Sequence, residues 1–195
     1  MSVPEPVPRS IGPSDAALVV AARAGEVWAS ESLYRRHIHV VHGLTCRLFG
    51  RDSDVDDVVQ ETFIDALSSL DRLEEPGAFR SWVCGIAVRK ICKLIRRRRL
   101  LTRLGLRRPE EPPEIGRMMA KTAPPDVVSE LRSVYQAIQG LPAELRVTFL
   151  LRRVEGANLD EIASMTETSL ATVKRRLVKA AEMLGSVVSP GESEP

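Results

Sequence analysis

Asp57, Glu61 and Asp65 recur at four-residue steps in this 195-residue chain, a spacing that lines three carboxylates along one helix face. Carboxylates so arranged could serve as general acid and base, or they could answer a basic surface. Like charges at that spacing oppose one another by roughly 0.2–0.5 kcal/mol per pair, so a cationic partner would relieve them. Acid–base catalysis would also need a cleft and co-workers, and no Gly-rich phosphate loop, Ser/His/Asp arrangement or sheet pattern accompanies them. A basic partner surface and a simple solvated face both stay open as readings, ahead of catalysis.

A second group is cationic. Arg80, Arg89, Lys90, Lys93 and the run Arg96 to Arg99 fall within FRSWVCGIAVRKICKLIRRRR without one acid. A helix dipole favours one or two cations in its last turn. A whole helix of them repels itself unless a polyanion is present, and nucleic-acid phosphates supply one. A third group, Ala171, Thr172, Lys174, Arg175, Arg176 and Lys179, forms the outward face of a predicted helix that Ser169 caps. Arginines and lysines early on such a helix can read base edges, where a bidentate pair is worth about 1–3 kcal/mol of discrimination. His37, His39 and His42 invite a metal reading, but residues two and five apart on a helix point in different directions. They are read as solvated or partly packed side chains.

The elements that position these groups are helical throughout. Ser14 or Asp15 caps a short helix to about Ala24, and a longer one from Glu26 to Phe49 is expected to bury Val27, Trp28, Leu33, Tyr34, Val41, Leu44 and Leu48. Apolar residues keep the helical period through Asp52 to Arg99 while charge reverses: the first half carries nine acids against Arg72 alone, and the second is the basic segment. The loop Asp71 to Ala78, with its Pro76-Gly77 turn, joins the two halves. Thr102 to Asp126 holds five prolines and two glycines, a linker with at most one short turn near Ile115 to Ala120. Helices then follow from Val127 to Gln139, and from Pro142, as first helical residue, to Glu155-Gly156, with Leu145, Phe149, Leu150 and Val154 inward. Asn158 with Glu161 makes a capping box. The turn Thr166 to Thr168 leads to a final helix with Leu170, Val173, Leu177, Ala180 and Leu184 inward. Capped helix, tight turn and basic helix form a helix-turn-helix pattern.

Composition bounds the rest. A net charge of +2 and a 44% hydrophobic fraction describe an ordinary globular chain in which segregation of charge matters more than its sum. Cys46, Cys84 and Cys92 form no CxxC pair and are read as packing residues of a reducing compartment. No apolar run reaches the roughly 20 residues of a membrane span.

ESLYRRH, DVDDVVQETFIDAL and GAFRSWVCGIAVRKICKLIRRRR, in that order, resemble region 2 of the sigma-70 family of bacterial transcription initiation factors. LPAELRVTFLLRRVEGANLDEIA followed by TSLATVKRRLVKA resembles its region 4. The chain is identified as a member of the small extracytoplasmic-function (ECF) group, a resemblance covering about Ser14 to Leu184. It implies an all-α, non-enzymatic protein of two small helical domains. A disordered leader (1–13), a region-2 bundle (14–100), a flexible Pro-rich linker (101–126), a region-4 helix-turn-helix domain (127–186) and a tail (187–195) would follow one another.

The resemblance also implies residue roles. Asp57, Gln60, Glu61 and Asp65 would dock on the clamp helices of the polymerase β′ subunit. The loop Leu73, Glu74, Glu75, Pro76, Gly77 and Ala78 would capture a base flipped from the opened strand, and Arg89, Lys90, Lys93, Arg96 and Arg97 would meet the minus-ten element. Ser169, Ala171, Thr172, Lys174, Arg175, Arg176 and Lys179 would read the minus-thirty-five element, with the preceding helices on the β flap. Expected partners are core RNA polymerase, promoter DNA and a separate anti-sigma factor in the cytoplasm, with no catalytic residue, metal, cofactor, small-molecule substrate or membrane insertion. Arg89 and Lys93 depart from the family's usual Asn and Asp, Leu67 from a common aromatic, and Glu167-Thr168 from a turn with Gly and an aliphatic residue. The alternative is a stand-alone helix-turn-helix regulator that binds an operator as a dimer.

Overall fold

A computed structural model describes residues 12–49, 54–106 and 125–185; the expected leader up to Ile11, the turn near Ile115 to Ala120 and the tail lie outside them. Every regular element among the described residues is helical. The first half holds α1 (Asp15–Arg23), α2 (Val27–Phe49), α3 (Asp54–Ser68) and α4 (Phe79–Arg103), with short 3-10 turns at Leu70–Arg72 and Pro76–Ala78 between α3 and α4. The second half holds α5 (Pro125–Gly140), α6 (Ala143–Arg153), α7 (Leu159–Thr166) and α8 (Leu170–Leu184).

Local chemistry explains most boundaries. The Ser14 hydroxyl accepts from Ala17 N at 3.3 Å and caps α1. Asp54, Asp56 and Asp57 occupy the first turn of α3, where carboxylates complement the helix dipole. Asn158 and Glu161 exchange side-chain and backbone hydrogen bonds at the start of α7, the expected capping box. Pro142 is not the first helical residue. It is the N-cap, with ψ 147° and its carbonyl accepting from Arg146 N at 2.9 Å.

The core stripe of α2 runs through Ala29, Leu33, His37, Val41, Leu44 and Leu48. This corrects the expectation for Val27, Trp28 and Tyr34, which are 80%, 51% and 38% exposed. A small residue and a histidine complete the stripe, so the larger apolar residues lie off its phase. Tyr34 instead packs edge-on against Phe63, centroids 4.8 Å apart. Val154, just past the end of α6, and Leu170, first residue of α8, are likewise exposed rather than inward. His37 is buried, its ring nitrogen 2.9 Å from Asp15 Oδ2 and its ring against Phe79, whereas His39 and His42 are exposed.

The two halves share one apolar core. Val83, Ala87, Val88 and Ile91 of α4 belong to the same buried cluster as Ala143, Val147 and Leu151 of α6, Ile162 of α7 and Val173 of α8. Gly85 brings α7 close: a Cβ there would lie 3.6 Å from Met165 Cα. Arg146 of α6, itself buried, donates to the Leu48 and Phe49 carbonyls at the end of α2. Carbonyls in the last turn of a helix are available to side-chain donors, and the buried guanidinium is one.

Candidate nucleic-acid interface

α3 and α4 lie side by side and enclose an open groove of about 1160 Å³. One wall carries Asp57, Glu61 and Asp65, and the other Arg89, Lys90 and Lys93. The acidic stripe is therefore partly answered within the chain. Lys90 Nζ stands 3.2 Å from Glu61 and 2.7 Å from Asp65. Burial works against its charge, and the hydrogen bonds it donates to Asp65 and Glu61 outweigh that, leaving its pKa above the ordinary lysine value. Both carboxylates are more than half exposed, and pairs of this kind contribute about 0–1 kcal/mol. A larger basic surface can displace Lys90 at little cost. Asp57 and Gln60 are exposed on the same helix, and Ile64, one turn beyond Gln60, is 58% exposed.

The basic run of α4 divides by direction. Arg98 is 6% exposed, turned inward over the Phe49 ring at 4.0 Å and bonded to Asp54. Arg97 and Lys93 face solvent. Arg89 and Arg96 point to the second half of the chain, where Arg89 pairs with Glu167 at 3.1 Å and Arg96 with Glu144 at 3.3 Å. The expected cationic face is thus split between solvent, the acids of α3 and the carboxylates Glu144 and Glu167 of the second half.

Between α3 and α4, Leu73 is buried and anchors the loop, while Glu74, Glu75 and Gly77 are exposed and Pro76 and Ala78 half-buried. Neither 3-10 turn has a side-chain cap. Arg23, which the sequence did not single out, reaches this loop from α1 and donates to the Leu70 carbonyl at 2.8 Å through Nη2, and to that of Leu73.

α7, its turn and α8 have helix-turn-helix connectivity. Glu167 closes α7 in the left-handed region at φ 49°, ψ 48°, a conformation costing a non-glycine residue about 1–2 kcal/mol. Thr168 N→Ala163 O and the contact between the Thr166 and Thr168 hydroxyls hold the turn. The Ser169 hydroxyl accepts from Thr172 N and meets the Thr172 hydroxyl at 2.9 Å, so both are occupied as the cap of α8. Ala171, Lys174, Arg175 and Lys179 face solvent. Arg176 is half-buried near Cys92 of α4, whose thiol burial pushes up to about 11 with Glu144 adding to the rise and Arg96 and Arg176 opposing it.

An all-helical chain that couples a basic helix to a helix-turn-helix with a cationic second helix is a nucleic-acid-binding protein. Residues 33–100 match the family model for Sigma-70 region 2, and residues 131–184 that for Sigma-70, region 4. The chain belongs to the sigma-70 family, in its extracytoplasmic-function group: a non-enzymatic factor that binds core RNA polymerase, recognises promoter DNA and promotes transcription initiation. It is 31% identical over 189 residues to the ECF RNA polymerase sigma-E factor of Haemophilus influenzae, covering 91% of this chain and 96% of the relative. The same identity holds with the sigma-E factor of Escherichia coli, with 91% and 95% covered. Among solved structures it resembles CnrH in complex with the cytosolic domain of CnrY (28% identity, TM-score 0.58, 88% of this chain and 95% of that one). Its fold also resembles the sigma factor RpoE in complex with the anti-sigma factor NepR from Bartonella quintana (18% identity, TM-score 0.56, 80% and 94% covered). A stand-alone dimeric regulator would leave the region-2 match unexplained.

Proposed function

We propose that the two charged surfaces divide the work of a sigma factor residue by residue. The exposed face of α3, with Asp57, Gln60, Glu61 and Asp65, docks on the β′ clamp helices. Lys93 and Arg97, joined by Arg89, Lys90 and Arg96, meet the minus-ten element, and the loop Leu73 to Ala78 receives the flipped base there. Lys174, Arg175, Arg176 and Lys179, with Ala171 and the Ser169–Thr172 cap, lie along the minus-thirty-five element, and the helices before them take the β flap. The single observation that carries this reading is Ile64, exposed at 58% amid the α3 acids: an apolar residue ringed by carboxylates fits a docking face better than a solvated one.

A separate anti-sigma factor holds the protein until a signal arrives, a reading supported by the similarity to CnrH, which was solved with the cytosolic domain of CnrY. The protein works in the cytoplasm, where polymerase and promoter are. No helix among the described residues is long and apolar enough to cross a membrane.

Transcription with core polymerase tests the assignment. Replacing Asp57, Glu61 and Asp65 together by Ala should abolish polymerase binding and promoter-dependent transcripts while helix content stays at the wild-type level. Unchanged polymerase binding would remove α3 as the docking face.

A further inference from the structure

We infer that Arg23 is a positioning residue for strand opening, which fixes the Leu73 to Ala78 loop from behind through the backbone carbonyls at its entrance. The inference rests on the reading of that loop as the receiver of the flipped base. A loop that must accept an extruded base works when its geometry is set beforehand, because unstacking already costs a few kcal/mol. Its own two turns are weakly held, since Leu70–Arg72 and Pro76–Ala78 each lack a side-chain cap. Arg23 supplies the missing restraint. Its Nε and Nη2 both donate to the Leu70 carbonyl, at 3.2 and 2.8 Å, and Nη2 also donates to that of Leu73. One guanidinium thereby ties the two ends of the first turn together. Arginine's planar fork suits this better than a lysine ammonium would.

The helix that carries Arg23 is tied at its other end. Asp15, the first residue of α1, bonds Arg36 Nη1 at 2.7 Å and His37 Nε2 at 2.9 Å. His37 in turn lies against Phe79, with centroids 5.3 Å apart, and Phe79 is the first residue of α4 and fully buried. Leu18 and Val19, both buried, set α1 into the common core. α1 is therefore a strap packed against both 3-10 turns, fastened by Asp15 near the exit of the loop and by Arg23 at its entrance. Glu74, Glu75 and Gly77 remain exposed on the loop it holds.

The test uses full-length protein reconstituted with core polymerase. Opening rates are measured with a fluorescent adenine analogue in the minus-ten element, on duplex promoter and on a template already unpaired across that element. Arg23→Ala should open the duplex about fivefold more slowly, the order expected for losing hydrogen bonds from a charged donor at a partly exposed site. Polymerase affinity and initiation on the unpaired template should stay within about twofold of wild type, differences that are small on the scale of a lost contact. Arg23→Lys, which keeps the charge and the helix but not the fork, should retain part of the defect, and it decides the question if Arg23→Ala loses helix content. Wild-type opening by both variants would overturn the role of Arg23, as would an equal defect on duplex and unpaired templates. A Glu74→Ala, Glu75→Ala, Gly77→Ala loop variant separates the two readings. Slow opening by the loop variant with normal opening by Arg23→Lys and Arg23→Ala sinks the positioning role alone, and normal opening by the loop variant sinks the reading of the loop.

Discussion

Glu167 Oε1 lies 3.1 Å from Arg89 Nη1, so the turn of the helix-turn-helix rests on the middle of the basic helix. Arg96 with Glu144 repeats the arrangement two helical turns further along α4, and Arg47 with Glu155 repeats it from α2. In all three pairs the arginine comes from the first half of the chain and the carboxylate from the second. On the proposed reading Glu167 and Glu144 hold two arginines, Arg89 and Arg96, that would otherwise meet phosphate.

Glu144→Gln together with Glu167→Gln should therefore release two arginines to DNA. In fluorescence anisotropy with the free protein, the slope of log affinity against log salt should steepen by about 1.8, at roughly 0.9 per phosphate contact. Superimposable slopes for variant and wild type would mean that Arg89 and Arg96 never reach phosphate.

Arg97 faces solvent in the groove beside α3. Arg97→Ala should weaken promoter binding by the holoenzyme for all minus-ten sequences alike and lower the salt slope by about one. Lys174→Ala, on the exposed face of α8, should instead change the preference among minus-thirty-five sequences by about 1–3 kcal/mol at one base position. Competition binding against single-base promoter variants separates the two outcomes.

Burial holds the His37 imidazole below its ordinary value of 6.5, against the raising influence of Asp15 and with that of Arg36 and Arg80 adding to the fall. The unfolded chain then binds a proton that the folded chain does not, so stability rises with pH across that interval and is lost as pH drops below about 6.5. His37→Gln should flatten this part of the profile. Urea midpoints measured from about pH 7 to about pH 5.5 should decline less for the variant than for wild type.

Burial also pushes the Cys84 thiol up to about 11, with Glu155 adding to the rise and Arg80 opposing it. At pH 8 only about one part in a thousand would be thiolate, the reactive form. Cys84 lines a cleft with Leu151, Ala157 and Met165 of the second half. Alkylation read by mass spectrometry should be slow in the free protein and faster once core polymerase is added, as the second half lifts away. An unchanged rate would show that the halves stay together in the holoenzyme.

How much could be read in advance followed from the range of the interactions. The capping box at Asn158 and the Ser169 cap use residues three apart, so they are written in the local sequence. The unusual turn at Glu167 was legible only through the resemblance, which sets a glycine in that turn, where the backbone takes positive φ. The phase of α2 was misread because Ala29 and His37 complete its buried stripe. Arg98 was hidden inside a run of four arginines, although its spacing from Ile91 and Ile95 placed it on the buried face of α4. The pairing of Arg47 with Glu155 spans 108 residues, and no periodicity announces a contact at that distance. Arg23 was missed because its partners are backbone carbonyls, which every residue possesses.

The apolar seam between α4 and α6–α8 closes the two halves of the chain on one shared core. If α4 and α8 read the two promoter elements as proposed, they must stand about 25 base pairs apart, on the order of 80 Å along B-form DNA, whereas here Glu167 lies against Arg89. Val147, Leu151 and Ile162 must then leave their shared core and be re-covered elsewhere or meet water. The apparent affinity for a promoter would then be the intrinsic affinity scaled by the fraction of molecules in which the seam has parted. On the proposed reading polymerase and promoter would act as each other's effectors: whichever parts the seam first would leave less work for the second, and by linkage the help would be the same in both directions.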